Sequence, residues 1–385
     1  MIPILAINSG SSSLKFGLFI EREGDEHALV QGNGDAIGSD SSFLKIKDEQ
    51  GKFIYEEQHR FPSQKEALAQ IAKTLASLNL PGPSAIGHRI VHGGPHLVAH
   101  QRITDDVLSA LQQAVHFAPL HIPLAVELIR HTEKLYPQAP QFACFDTAFH
   151  QTMPEAAYRY AIPEEYFVQG IRRYGFHGLS YGSIVHALGS DLPAKVVIAH
   201  LGSGASLAAV LKAKSVDTSM GLTPTGGIPM GTRTGDLDPG VPLFLMRNQK
   251  LNADALESLL NLDAGLKALG GTNDMRQLQK ASEAGDHNAA LAIEIFCRSI
   301  AKTIASYAAV LGGLDLLVFS GGIGEHSAPV RANICGRLDW LGIRVDAECN
   351  REPSSIISTA ASRVTVRIVP SEEEKQIARN CRALL

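Results

Sequence analysis

The chain has 385 residues, more than a single hydrophobic core usually sustains, so two domains are expected. With 35 Lys and Arg against 39 Asp and Glu, the formal net charge of -4 excludes a global pull toward nucleic acid or anionic membrane, and any anion site must be built locally. The five cysteines (Cys144, Cys297, Cys335, Cys349 and Cys381) form no C-x-x-C pair, and no apolar run reaches the length of about 18 residues that a membrane span requires, which excludes a disulfide framework, structural zinc and a spanning helix.

The N-terminal "MIPILAINSG" lacks the basic and apolar regions of a signal peptide, and a cytoplasmic protein is expected. The first segment, "PILAINSGSSSLKFGLFI", places an apolar run before a Ser/Gly turn and a second run that alternates Leu14, Phe16, Leu18 and Ile20; this predicts a strand, a tight loop and a strand. "SQKEALAQIAKTLASL" and "TDDVLSALQQAVHFA" carry apolar residues at helical spacing, with Ser63 and Thr104 as N-caps. His88, His92, His96 and His100 recur every four residues, but Gly93, Gly94 and Pro95 break the helix that a metal-binding face would need. The apolar run in "QFACFDTAFH" ends at Asp146, a place for a catalytic or metal-linked carboxylate or for an N-cap.

"KVVIAHLGSGASLAAVL" repeats the design of the first hairpin roughly 190 residues later, as a duplicated domain would. Its loop, His200 to Ser206, reads as a phosphate cradle without the lysine of a Walker loop. "NAALAIEIFCRSIAKTIASYAAVLGG", Asn288 to Gly313, predicts a long buried helix ending at a Gly pair. "LDLLVFSGGIGEHS" predicts a strand running into a glycine turn, and "VPSEEEKQIARNCRALL" a final helix capped by Ser371 with Glu372, Glu373 and Glu374 in its first turn.

Arg89 in "GHRIVHGG" and Arg233 in "PMGTRTGDLDPG" lie in glycine-rich contexts where a guanidinium can grip a phosphoryl group or carboxylate through two hydrogen bonds; alone, each also fits a surface ion pair. His177 in "RRYGFHGLS" sits in an aromatic-His-Gly turn and is a candidate site residue or a structural one.

Together, "INSGSSSLKF", "GHRIVHGG", "APLHIP", "FDTAFHQTMP", "RRYGFHGLS", "HLGSGAS", "DTSMGLTPTGGIPMGTRTGDLDPG", "TNDMR", "SGGIGE" and "VPSEEE" occur in the order found in the acetate kinases, which the chain resembles end to end. The resemblance implies an α/β, duplicated two-domain fold of the actin/Hsp70/sugar-kinase type with ribonuclease H-like domains and an interdomain active-site cleft. Residues 1–148 with 372–385 would form an acyl and metal domain, and 149–371 a nucleotide domain. It implies reversible Mg²⁺-dependent phosphoryl transfer (with Mn²⁺ as a substitute) between ATP and acetate, giving acetyl phosphate and ADP by direct in-line attack of the carboxylate. Backbone N–H groups of the glycine hairpins would hold phosphates without a Walker lysine.

By motif, the resemblance assigns Asn8 and Glu373 to the metal and Lys15 to substrate. It assigns His200, Leu201, Gly202, Ser203 and Gly204 to phosphate, Asp274, Met275 and Arg276 to nucleotide, and Gly322, Ile323, Gly324, Glu325 and His326 to adenosine. Arg89, His121, Asp146, His177 and Arg233 form the implied catalytic set, and Val91, Leu120, Phe176 and Pro224 the pocket for the substrate's methyl group. Ile122, Ser203 and His326 stand where the family usually has other residues. A homodimer is implied, to which Asn288–Gly313 is a candidate contributor, with no nucleic-acid or membrane partner. Propionate kinase is the near alternative and a pyrophosphate-dependent relative a variant. An ATP-driven module of the actin or Hsp70 type and a sugar kinase are the readings from other classes.

Overall fold

The first hairpin forms where the alternation predicts it. Strand β1 (Ile4–Ser9) pairs antiparallel with β2 (Leu14–Arg22), placing Asn8 opposite Lys15 and Ile7 opposite Phe16. The computed structural model describes residues 2–10, 12–352 and 354–385. They divide into one unit of Met1–Ala148, Gly178–Ser183 and Glu372–Leu385 and another of Phe149–His177 and Ile184–Ser371.

In the first unit, β3 (Asp25–Asp35), β4 (Phe43–Asp48) and β5 (Phe53–Gln58) extend the antiparallel ladder from β2. On the other side of β1 lie β6 (Ala85–Ile90) and β8 (Gln141–Phe145), both parallel to it, with the short β7 (Gln101–Arg102) at the edge. The eight strands run in the order β5-β4-β3-β2-β1-β6-β8-β7. Successive side chains of a strand face opposite ways. Leu5 and Ile7 therefore pack with Leu68, Ile71 and Leu75 of the helix Gln64–Ser77 and Leu128 of the helix Ile122–Leu135, while Ile4 and Ala6 pack with Ile377, Ala378 and Cys381 of the C-terminal helix Glu373–Arg382. Gly87 permits that close approach: a Cβ there would stand 2.4 Å from the Cys381 sulfur and from Ile377.

Ser63 and Thr104 cap their helices as expected, accepting from the N–H groups of Lys65 and Val107. Ser371 does not. The C-terminal helix starts one residue later, with Glu372 at the cap position and no side-chain cap bond, while the Ser371 N–H donates to the Glu325 carboxylate at 3.3 Å. The helix is instead tied to β3 by ions: Lys375 and Arg379 each meet Asp25 at 2.8 Å, and Arg382 meets Glu26 at 2.5 Å.

The second unit repeats the central topology. Its five strands, β9 (Lys195–Leu201), β10 (Ala205–Leu211), β11 (Lys214–Thr218), β12 (Leu316–Ser320) and β13 (Thr365–Ile368), run in the order β11-β10-β9-β12-β13. The antiparallel ladders β9–β10–β11 match β1–β2–β3, and the parallel ladders β9–β12–β13 match β1–β6–β8. The predicted long helix spans His287–Leu311, capped by Asp286 and closed by left-handed Gly312. It buries one face through Ala292, Phe296, Ile300 and Ile304 and leaves Leu291 and Val310 exposed. The glycine turn expected after β12 is a short helix, Gly321–His326. Only Gly321 takes a positive φ, 74°, where a Cβ would meet the Leu201 carbonyl at 2.8 Å, and its N–H is accepted by Glu325 at 2.9 Å; the following residues then wind normally. No helix among the described residues is long and apolar enough to cross a membrane.

Candidate active site

Asn8, Arg89 and Asp146 stand at the carboxyl ends of the adjacent parallel strands β1, β6 and β8, where open α/β sheets bind their ligands. Arg89 meets Asp146 side-on: Nε lies 3.1 and 3.0 Å from the two carboxylate oxygens and Nη2 2.7 Å from Oδ2. Nη1 donates to the Asn8 side-chain oxygen at 3.0 Å and lies 3.9 Å from Glu373. The Asn8 amide nitrogen then donates to Glu373 at 2.9 Å and to Glu374 at 2.7 Å. The start of the C-terminal helix thus closes the network.

Burial sets the electrostatics. It drives the Asp146 carboxyl up, to about 6, against the pull of Arg89, with Glu373 adding to the rise. Arg89 is held above its ordinary value, because Asp146 and Glu373 outweigh the desolvation that would lower it. Glu374 is raised by burial and then by Glu373, and Lys15, across the ladder from Asn8, offsets part of that.

Two carboxylates sharing one amide donor suit a hard divalent cation, which commonly uses one or two carboxylates together with phosphate oxygens and water. Asn8 and Glu373 therefore fit the assignment the resemblance makes. Among the described residues no group of three or more His, Cys, Asp and Glu forms a metal site on its own.

Of the other residues assigned to this unit, His121 occupies the cap position of the helix Ile122–Leu135, Val91 is half-buried, and Leu120 is 59% exposed.

The second unit carries a different set. His177 has φ 57° and ψ 23°, left-handed values at the start of the helix Gly178–Leu188. Its Nδ1 lies 2.8 Å from the Ser206 hydroxyl, and its ring stacks on His200 at 4.4 Å. The β9–β10 hairpin follows: Gly202 N–H donates to the Gly204 carbonyl, and the Ser203 carbonyl accepts from Gly231, both at 3.0 Å. A Cβ on Gly204 would stand 3.4 Å from His177 Nε2 and 3.5 Å from Arg233 Nη1, so the imidazole, the guanidinium and the hairpin converge on one small space. Arg233 donates to the Pro224 carbonyl at 3.2 Å and approaches the Met230 sulfur at 3.9 Å. Its loop is closed by Gly227 and Asp236, paired through backbone and carboxylate at 2.8 and 2.7 Å.

Asp274 caps the helix Met275–Glu283 and pairs with the exposed Arg276 at 2.7 Å, whose hydrogen bond draws its carboxyl down to about 2; Met275 is buried. Gly322 and His326 are exposed, Ile323 and Glu325 half-buried, and Leu201, Phe176 and Gly324 buried. Sequence reasoning missed Ser206, which orients His177, and left Glu374 without a role. A serine six residues beyond His200 carries no sequence signal for the former, but the acidic triplet was one for the latter.

The acetokinase family profile matches residues 3–379. A curated acetate kinase of Clostridium botulinum (strain Hall) is 41% identical over 398 residues, covering 100% of this chain and 99% of that one. The crystal structure of a propionate kinase from Francisella tularensis subsp. tularensis SCHU S4 superposes with a TM-score of 0.93 at 37% identity, covering 100% of both chains. Porphyromonas gingivalis acetate kinase gives 0.88 at 36%, again over 100% of both. The α/β fold is the one that these acetate and propionate kinases have, and the enzyme class is a phosphotransferase with a carboxyl group as acceptor. The chain belongs to the acetokinase family.

Proposed function

We propose that the protein is an acetate kinase, transferring the γ-phosphoryl group of ATP reversibly to acetate by direct in-line attack of the carboxylate. The observation that carries this reading is the Arg89 guanidinium, fixed by Asp146 and Asn8 at the ends of three parallel strands. A carboxylate acceptor is already ionised at neutral pH and needs no strong base; it needs suppression of the repulsion between two anions. A rigid guanidinium supplies that without reorganising during the reaction.

In this reading Asp146 orients Arg89 and accepts no proton from the acceptor, while His177 Nε2 and Arg233 stabilise the charge on the transferred group. The amides of Gly202 to Gly204 receive the phosphates, Asp274 to Arg276 and Gly322 to His326 serve the nucleoside, and Val91, Leu120, Phe176 and Pro224 meet the methyl group. Asn8 and Glu373 are the residues that would hold Mg²⁺, whose contribution when bound is to neutralise phosphate charge.

The likeness to a propionate kinase makes propionate the second acceptor to test, since one methylene in an apolar pocket is worth only about 1 to 3 kcal/mol. A cytoplasmic homodimer completes the proposal. Exposed Val241, Leu243, Phe244 and Met246 on the helix Gly240–Asn248 suit its interface better than the long helix, whose main apolar face is spent on the core.

The test is hydroxylamine trapping of acyl phosphate from ATP with formate, acetate, propionate and butyrate. Highest turnover with acetate is expected, and a propionate maximum would move the assignment to the second acceptor. Carboxylate-independent ATP hydrolysis without trapped product would overturn it.

A further inference from the structure

His150, which the catalytic set does not use, is buried at 2% exposure and makes two short contacts. Its Nδ1 lies 2.8 Å from the Ser215 hydroxyl and its Nε2 3.0 Å from the Phe176 carbonyl. A carbonyl can only accept, so the hydrogen sits on Nε2. Burial pushes the ring's pKa down to about 4, so it is neutral at working pH, and Nδ1 accepts from the Ser215 hydroxyl. The tautomer is therefore defined from both sides.

The carbonyl it holds belongs to the peptide that joins Phe176 to His177. The plane of that peptide sets φ at His177, which is 57°. A left-handed conformation is costly for a residue with a Cβ and persists where its surroundings over-determine it. Here Gly175, φ 76°, comes first, and a Cβ on it would stand 2.6 Å from the His150 ring and 2.5 Å from Thr218. The imidazole of His150 thus fills the concave side of the turn while its N–H pins the turn's carbonyl. Ser215 is itself anchored, since its backbone carbonyl accepts from Thr152 at 2.8 Å, within the same short turn as His150.

We propose that His150 is a positioning residue for His177: its Nε2–H fixes the Phe176 carbonyl and so holds the strained turn from which the His177 ring reaches Ser206 and the space beside Arg233. The proposal rests on the reading of His177 as a group acting on the transferred phosphoryl. His150 itself touches no reactant.

The test combines His150→Ala, His150→Gln and His150→Asn with His177→Ala and the double variant His150→Ala/His177→Ala, measuring kcat, both KM values and unfolding midpoints. A displacement near 1 Å at a reacting group costs on the order of 10²-fold, so H150A is expected to lose about that in kcat with both KM values changed less than about threefold. Gln places an amide N–H near the position of Nε2 and is expected to recover turnover to within about tenfold, whereas Asn reaches only the position of Nδ1 and stays low. In the H177A background, H150A is expected to lower kcat no further, the signature of two residues acting as one unit.

An equal loss from H150A with and without His177, or wild-type turnover in H150A alongside impaired H177A, would overturn the proposal alone. Wild-type turnover in H177A would overturn the underlying reading and the proposal with it. Should H150A fail to fold, equal turnover of H150Q and H150N overturns it, and the predicted ranking of those two supports it.

Discussion

In the first unit Arg89, Glu373 and Glu374 crowd around one asparagine amide and Asp146 backs the arginine, whereas in the second His177 and His200 stack beside a glycine hairpin and an arginine that meets a carbonyl and a thioether. The two sets stand at equivalent places in equivalent topologies, at the ends of β1, β6 and β8 and around the end of β9. One is rigid because its charges are mutually bound, the other because its backbone is tightly turned. The same scaffold therefore supports two kinds of preorganisation, which fail differently when altered.

The sharpest way to break the comparison is to remove each arginine. Arg89→Ala and Arg233→Ala should both lose about 10³-fold or more in turnover by phosphoryl-transfer precedent. Arg89→Ala should also unfold easily, because it leaves Asp146 buried without its cation, a change that typically costs about 3 to 5 kcal/mol. Hydroxylamine trapping and thermal unfolding on the same samples separate the two effects; equal losses of stability would end the distinction.

A smaller effect tests the turned backbone of the second unit. Gly204→Ala puts a methyl group 3.4 Å from His177 Nε2 and 3.5 Å from Arg233 Nη1. Turnover is expected to fall at least about tenfold, through misplacement of reacting groups, while the unfolding midpoint stays near wild type. Wild-type turnover in this variant would show that the space beside the hairpin stays vacant during the reaction.

Acid stability compares the units again. His88 and His100 in the first and His150 in the second are each held down to about 4 by burial. Their folded pKa values lie below the unfolded value, so the unfolded state binds more protons as the pH falls. Stability is full above about pH 6.5 and is lost progressively down to about pH 4, by roughly 1 to 3 kcal/mol for each group. Urea midpoints across that range should decline, with a shallower slope in H150Q; a slope unchanged by that substitution would remove His150 from the account.

The smallest effect concerns Asp25, whose carboxyl is held well below its ordinary value: burial opposes the shift, and Lys375 and Arg379 together outweigh it. Such a group stabilises the fold above its unfolded pKa, and that contribution fades as pH falls through the acid range. Because the carboxylate is partly exposed, Asp25→Asn should cost only about 1 kcal/mol at neutral pH, and less at high salt. An unfolding midpoint indifferent to salt would count against the ionic tie.

Much of this architecture was legible before any coordinates. The period-two alternation gave away the first hairpin, its repeated strand-turn-strand design the second, and Ser63 and Thr104 announced their helices, because those signals are local. Ser371 and the glycine segment after β12 were less legible: the Glu325 carboxylate accepts from Gly321, four residues before it, and from Ser371, far along the chain, and the second bond is one that composition does not reveal. The motifs named the candidate site residues, but the Arg89–Asp146 pairing arises from parallel register between β6 and β8, which joins residues far apart in the chain. His150 stayed hidden because it acts on a backbone carbonyl, a partner that every residue possesses.

The C-terminal helix gives the first unit a particular order of assembly. Its sheet is made early in synthesis, yet Glu373 and Glu374, which complete the Asn8 network, arrive on a segment that follows the whole second unit in the chain. Until that segment docks, the surface of β1 and β6 around Ala6 and Gly87 lacks its cover, and Asn8 lacks both carboxylates. The nascent chain thus passes through a stage at which the residues of the second unit are all made while the first still lacks the helix that brings two carboxylates to Asn8 and covers β1 and β6.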